Sequence, residues 1–134
     1  MAALLIDTSI FIPLERQGDD LPSLLERLRG EAVALSAITA SELLHGVHRA
    51  DGAVRRGRRE AFVESILARL PVLPFTLDVA RVHARLWADL EAKGEMIGAH
   101  DLEVASTALA HELTVLSADR RHFGRIEGLE LTVW

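Results

Sequence analysis

The chain of 134 residues contains no cysteine, and this absence removes several chemistries at once. Disulfides, thiolate zinc sites and cysteine nucleophiles are all excluded. Aromatic residues make up only 4% of the sequence, which is low for a protein that stacks many bases of a single strand. No stretch approaches the roughly 20 apolar residues of a membrane span, so no membrane contact is expected.

Positive charge is also scarce. The net charge is -5 with histidine counted as neutral, whereas a protein that coats nucleic acid is usually basic. Any RNA is therefore expected to bind at a local site. The N-terminal segment lacks the basic region of a signal peptide, and Asp7 interrupts its apolar run, which favours a cytoplasmic protein. The length predicts a single domain over residues 1–134.

Short apolar runs alternate with segments of helical periodicity. The predicted strands or extended segments are 2–6, 32–35, 72–75, 113–116 and 129–134. Among the helices between them, Thr39 and Glu42 match a capping box, and alanine-rich spacing predicts a helix from Ala99 to His111. The basic segment 49–59 is expected to form a loop and a helix start. This alternation predicts a three-layer α/β/α sandwich with a central parallel sheet.

Four acidic residues fall at the ends of predicted strands or at the beginnings of predicted helices. Asp7 follows the first strand, Asp119 follows the strand that ends at Leu116, and Glu42 and Asp101 lie in first turns of helices. Ligands of a parallel sheet bind beyond its carboxyl ends, so these acids are expected to converge there. Each one could instead cap a helix or complement its dipole. Converging carboxylates would repel one another without a cation, and their oxygens suit Mg²⁺ or Mn²⁺.

The segments around these acids resemble those of a known family. Four segments are similar, in order and spacing, to the blocks of PIN-domain nucleases, and in particular of the VapC toxins of bacterial toxin–antitoxin pairs: LLIDTSIFI, ITASELLHGV, IGAHDLEVASTAL and LTVLSADRRHF. The resemblance covers nearly the whole chain. It implies a PIN-like fold and an endoribonuclease that hydrolyses RNA phosphodiester bonds with a water activated by Mg²⁺ or Mn²⁺.

The same resemblance assigns roles to individual residues. It implies a catalytic quartet, which consists of Asp7, Glu42, Asp101 and Asp119. Asp7 and Asp101 would be the main metal ligands, and Asp119 would either bind metal or position water. Thr8 and Ser117 match hydroxyl positions that support the acids. His122 stands where many relatives have aspartate, and no histidine is assigned to catalysis.

Partners also follow from the resemblance. RNA would be the substrate, and growth would be inhibited until a cognate antitoxin protein covers the site. Relatives commonly form homodimers, so a homodimer is expected here. Operator DNA is bound by the antitoxin part of such complexes, so this chain alone is not expected to bind it.

Two further features leave their roles open. Arg55, Arg56, Arg58 and Arg59 form a dense basic cluster, which could contact RNA phosphates or could be a solvated helix face partly neutralised by nearby glutamates. Trp87 and Trp134 are expected in the core or at an interface rather than as base-stacking platforms.

Two other functions compete with the ribonuclease. An aspartyl-phosphate phosphatase also places an aspartate after its first strand, although Ser9 stands where that chemistry typically has a second aspartate. A non-catalytic RNA- or protein-binding module could share the fold, but it would have no reason to keep four neighbouring acids.

Overall fold

A parallel β-sheet lies at the centre of the computed structural model, which describes residues 3–134. Its strands within that range are β1 (Leu4–Ile6), β2 (Val33–Ser36), β3 (Val72–Leu73), β4 (Thr114–Ser117) and β5 (Leu131–Val133). Their order across the sheet is β3-β2-β1-β4-β5, and every neighbouring pair is parallel. The carboxyl ends of all these strands therefore meet at one edge of the sheet.

Helices connect the strands and cover both faces of the sheet. In the described part of the chain they are α1 (Thr8–Arg16), α2 (Leu21–Arg27), α3 (Ala37–Arg49), α4 (Ala53–Arg69), α5 (Leu77–Lys93), α6 (Ala99–His111) and α7 (Arg120–Phe123). From residue 3 onward, no helix combines the length and the apolarity that a membrane crossing requires.

Alternation of side chains along β1 creates two cores, one on each face of the sheet. Leu4 and Ile6 point to one side, where they pack with α1, α2, α3 and α4. Leu5 points to the other side and packs with α5, α6 and α7. Because both faces are covered, β1 is apolar at every position, as the sequence pattern indicated. The three-layer α/β/α sandwich is confirmed.

Most predicted elements are present, with shifts at their ends. The helix from Ala99 to His111 has the predicted bounds, and the first strand begins at Leu4 instead of residue 2, which lies outside the described residues. The extended segment 72–75 shortens to two residues before Pro74, which lacks the N–H that a sheet ladder needs. The basic segment 49–59 forms a loop and a helix start as predicted, because α4 begins at Ala53, and its arginine cluster lies in the first turns of this helix.

The capping box predicted for α3 is wrong. The helix begins at Ala37, and its N-cap is Ser36, whose Oγ accepts a hydrogen bond from the backbone N–H of Thr39 at 3.2 Å. The Ser36 hydroxyl also donates to Thr39 Oγ1 at 3.0 Å, and both side chains are buried. Serine at the last position of β2 starts the helix three residues earlier than expected. Glu42 therefore lies in the second turn, and its carboxylate is available for contacts outside the helix.

Replacement of the cap should weaken the fold by a predictable amount. Ser36→Ala is expected to lower the free energy of unfolding by about 1–2 kcal/mol, since an N–H of the first turn loses its partner. Ser41→Ala is the matched control, because Ser41 is exposed on the same helix and alanine is the better helix former. Urea denaturation of both variants measures the difference. Equal stability of the two would contradict the assignment of Ser36 as the cap.

Candidate active site

Asp7 is a buried carboxylate at the carboxyl end of the central strand. It follows β1 directly and is 6% exposed. Two hydroxyl groups donate to its Oδ2 atom, Ser9 Oγ at 2.7 Å and Ser117 Oγ at 2.9 Å. Although Asp7 occupies the N-cap position of α1, its side chain makes no capping hydrogen bond. The carboxylate is oriented by serines from two segments, so the alternative of a simple helix cap is wrong for this residue.

The same two serines join the ends of β1 and β4. Backbone N–H groups donate to them, from Ala118 to Ser9 Oγ and from Asp119 to Ser117 Oγ, both at 2.9 Å. Each hydroxyl therefore accepts one hydrogen bond and donates another toward Asp7. The turn after β4 is thereby fixed beside Asp7, which brings Asp119 to the same edge of the sheet.

His122 lies between two carboxylates at this edge. Its Nδ1 atom is 2.6 Å from Asp101 Oδ2 and 3.3 Å from Asp119 Oδ2. Since a carboxylate only accepts hydrogen bonds, the ionised form of Asp101 requires a proton on Nδ1. Potential ligand atoms of Asp101, Asp119 and His122 all lie within 4.8 Å of one another, so the three residues could hold a metal ion. Asp119 also caps α7, because its Oδ1 accepts from the N–H of His122 at 3.4 Å.

Burial and nearby charges change the pKa of the Asp101 carboxyl group. Desolvation raises the pKa of this carboxyl, and the negative charges of Asp7 and Asp119 raise it further, while the hydrogen bond from His122 lowers it. The net direction is upward, which means that the fold disfavours the ionised form of Asp101. A divalent cation would offset this repulsion, and oxygen ligands of this kind fit Mg²⁺ or Mn²⁺.

Glu42 reaches the site from α3 and is tied to residues beside the other acids. Thr8 Oγ1 donates to Glu42 Oε1 at 2.7 Å, and His100 Nδ1 lies 3.2 Å from Oε2. Thr8 follows Asp7 in the sequence, and His100 precedes Asp101. Both oxygens of Glu42 are thus fixed by the neighbours of two other predicted site residues. Thr8 contacts Glu42 and supports the site in that way.

All four predicted acids and both predicted hydroxyl residues lie at the same edge of the sheet. Sequence reasoning missed the contacts of Ser9, His100 and His122. A signal existed for His122, because it lies three positions after Asp119 and an N-cap residue contacts the residue at that spacing. For His100 the sequence offered no signal, since its contact with Glu42 depends on how α3 and α6 pack.

A cleft of about 360 Å³ extends from the Glu42 side of the site. Thr8 and Glu42 line it together with Arg16, Arg49 and Arg59. Arg59 donates from Nε to Glu15 Oε1 at 3.1 Å, which links α4 to α1.

Two arginines of the cluster in α4 make hydrogen bonds with other parts of the described chain, and two do not. Arg59 is paired with Glu15 of another helix, and Arg56 donates to the backbone oxygen of Ala50 at 3.1 Å. Arg55 and Arg58 are exposed. Half of the cluster therefore has a structural contact and half faces solvent.

Comparison with known proteins identifies the family. The sequence pattern of the PIN domain matches residues 4–129. Ribonuclease VapC1 of Rickettsia felis is 36% identical over 128 residues, which cover 96% of this chain and 93% of that protein. The tRNA(fMet)-specific endonuclease VapC of Salmonella typhimurium is 31% identical over 107 residues, which cover 80% of this chain and 79% of the relative.

A solved structure has the same fold. The crystal structure of VapBC2 from Rickettsia felis, bound to a DNA fragment from its promoter, contains a chain that matches with a TM-score of 0.87. The match has 28% sequence identity and covers 98% of each chain. From sequence and structure together, this chain belongs to the PIN domain family and, within it, to the VapC ribonucleases.

Proposed function

We propose that this chain is a divalent-cation-dependent endoribonuclease and the toxin of a toxin–antitoxin pair, built as one nuclease domain over residues 1–134. Its catalytic residues would be Asp7, Glu42, Asp101 and Asp119. Membership of the VapC ribonucleases supports the reaction class. The observation that carries the proposal is the gathering of these acids at one edge of the sheet, where burial and the charges of Asp7 and Asp119 raise the pKa of Asp101 and favour a bound positive charge.

Asp7 and Asp101 are assigned as the main ligands of Mg²⁺ or Mn²⁺, with Asp119 binding the ion or positioning water. The donors are hard oxygens, and these ions commonly use one or two carboxylates together with water and substrate phosphate. A bound ion of this kind supplies a lowered pKa for the attacking water and positive charge for the phosphate oxygens. Ser9 and Ser117 hold Asp7 in one orientation, so its position does not depend on the ion.

RNA is expected to approach along the basic cleft beside Glu42. Arg16 and Arg49 line this cleft and are exposed, which suits contacts to phosphate oxygens. Arg59 is held by Glu15 and shapes the wall between α1 and α4. Glu42 lies where this cleft meets the aspartates, and its fixed carboxylate would orient water or substrate there.

The competing functions have less support. The phosphatase typically has a second aspartate two residues after the first, and Ser9 occupies that position, where its hydroxyl donates to Asp7 Oδ2. A binding module without activity would have no need for Asp101 in an environment that disfavours its charge.

A cognate antitoxin protein is the proposed partner, and the cytoplasm is the proposed compartment. The VapBC2 complex of Rickettsia felis supports this partner, and its DNA-bound state fits the proposal that operator binding requires the antitoxin. A homodimer is also proposed. His83 packs edge to face against both Phe75 and Trp87, and the rings of Phe75 and Trp87 are about half exposed, which suits burial by a second copy.

Cleavage should require both the ion and Asp101. With Mg²⁺ or Mn²⁺, the protein is expected to cleave a structured RNA, and EDTA is expected to stop the reaction. Asp101→Asn should lower the rate by roughly a hundredfold or more, because even the loss of a group that only supports a metal ligand costs 10–100-fold. Gel analysis of an end-labelled transfer RNA measures the rate.

Asp89→Asn is the matched control for this experiment. Asp89 is exposed on α5, so its substitution removes one negative charge away from the site and should leave the rate unchanged. Cleavage that persists in EDTA would contradict the proposed metal dependence. Tight binding of RNA without cleavage in either metal would favour the binding module instead.

Replacement of Asp101 by asparagine should change the free energy of unfolding in opposite directions without and with a bound metal ion. Since the fold raises the pKa of Asp101, the ionised carboxylate destabilises the folded state. In metal-free protein, Asp101→Asn should therefore be more stable than wild type above the folded-state pKa, and this advantage should disappear as the pH falls from that value to the unfolded one.

Added Mn²⁺ should reverse the order at neutral pH. An ion that binds only the folded wild type stabilises it, by about 2.7 kcal/mol at a concentration of 100 Kd. Thermal denaturation across pH, with and without Mn²⁺, tests both signs. A Mn²⁺ response of Asp101→Asn as large as that of wild type would contradict the assignment of Asp101 as a ligand.

Toxicity and its relief can be tested in cells. Induced expression should arrest growth, because cleavage of essential RNA blocks protein synthesis, and Asp101→Asn should abolish the arrest. Coexpression of the cognate antitoxin should restore growth and yield a copurifying complex. The measurement is optical density after induction. Normal growth with abundant wild-type protein and no partner present would argue against a toxin.

A further inference from the structure

A second cleft meets the acidic edge on the side opposite Glu42. Its volume is about 170 Å³, and it lies between α1, α2 and the end of β5. Ile10, Leu14 and Leu24 form a buried apolar floor. Arg27 and Trp134 form the outer wall, and neither belongs to the site already described.

The outer wall is an ordered pair of planar groups. The guanidinium carbon of Arg27 lies 4.5 Å from the centre of the Trp134 ring, which is a cation–π contact. Trp134 is nevertheless 43% exposed, so of the two expected places, the core and an interface, the core does not apply. The backbone N–H of Trp134 donates to Ser117 O at 3.0 Å. Trp134 is therefore fixed beside β4, whose Ser117 side chain donates a hydrogen bond to Asp7.

The inner end of this cleft is continuous with the acidic site. Ser9 and Ala118 line it, and the N–H of Ala118 donates to Ser9 Oγ at 2.9 Å. The Ser9 hydroxyl in turn donates to Asp7 Oδ2 at 2.7 Å. One side chain therefore separates the cleft from Asp7, so a group bound in the cleft would adjoin a phosphate at the carboxylates.

We propose that this cleft is a nucleobase subsite, in which Trp134 and Arg27 hold a base of single-stranded RNA next to the phosphate that is cleaved. The inference rests on the proposed ribonuclease function. A base has a flat π-face that stacks on aromatic rings and guanidinium planes, and the buried floor offers an apolar surface for its edge. Arg27 adds a positive charge, which complements the phosphates on either side of the base.

Fluorescence of the native Trp134 side chain tests this assignment directly. The chain has two tryptophans, so Trp87→Phe leaves Trp134 as the only indole emitter. Ca²⁺ replaces Mg²⁺, since it takes the same oxygen ligands, and gels verify that the RNA stays intact. Hexamers of adenylate and of uridylate are expected to quench the emission, whereas an abasic ribose-phosphate hexamer of equal charge is not.

Substitutions then separate stacking from packing. Trp134→Leu keeps apolar bulk without a π-face, and Trp134→Phe keeps a smaller ring. The leucine variant should raise KM for RNA by roughly 5- to 150-fold, the range for loss of one stacked base, with a much smaller change in kcat. The phenylalanine variant should recover most of the loss. Urea denaturation verifies that both variants are folded.

The outcomes distinguish this subsite from the function on which it rests. If the wild-type protein does not cleave RNA, the proposed ribonuclease function is contradicted. Quenching of the Trp134 emission is measured on intact RNA, so it tests the subsite separately. Equal quenching by the abasic hexamer, or an unchanged KM in folded Trp134→Leu, overturns the subsite. Emission that responds only to the partner protein, and to no oligonucleotide, assigns the cleft to that protein and also overturns it.

Discussion

Repulsion between carboxylates at the end of a parallel sheet is the constraint around which this protein is organised. Burial raises the pKa of Asp101, and the negative charges of Asp7 and Asp119 raise it further. A fold keeps such an arrangement only if other contacts outweigh its cost. Here those contacts are two apolar cores, one on each face of the sheet, which hold the strands that carry the acids.

Polar residues around the acids hold each carboxylate in position. Ser9 and Ser117 fix Asp7, His122 lies between Asp101 and Asp119, and Thr8 and His100 hold Glu42. Each carboxylate thus has a polar partner close to it, and Asp101 and Asp119 share His122. Such an array is preorganised, so a bound cation would meet ligands already in place. Under the proposed metal-dependent function, stability and activity are opposed in the metal-free protein and coupled once an ion binds.

Periodicity in the sequence was sufficient for the fold and for the approximate position of the acids. Continuous apolar runs indicated strands buried on both faces, and the alanine-rich helix was predicted with its bounds. Local capping was harder to predict, because Ser36 and Thr39 are both good caps and only the end of β2 determines which one starts the helix. Contacts between elements, such as that of His100 with Glu42, have no sequence signal, because they depend on the packing of two helices distant in the chain.

The sequence alone determined the α/β class, the parallel sheet and the identity of the acids, because these follow from local spacing and from the rule that parallel strands end at one edge. Tertiary structure decided which side chains surround each acid. It turned Asp7 away from helix capping, placed His122 between two carboxylates and brought Trp134 beside β4. These outcomes depend on distances of a few ångströms between segments far apart in the chain, and such distances are set only when the two cores pack.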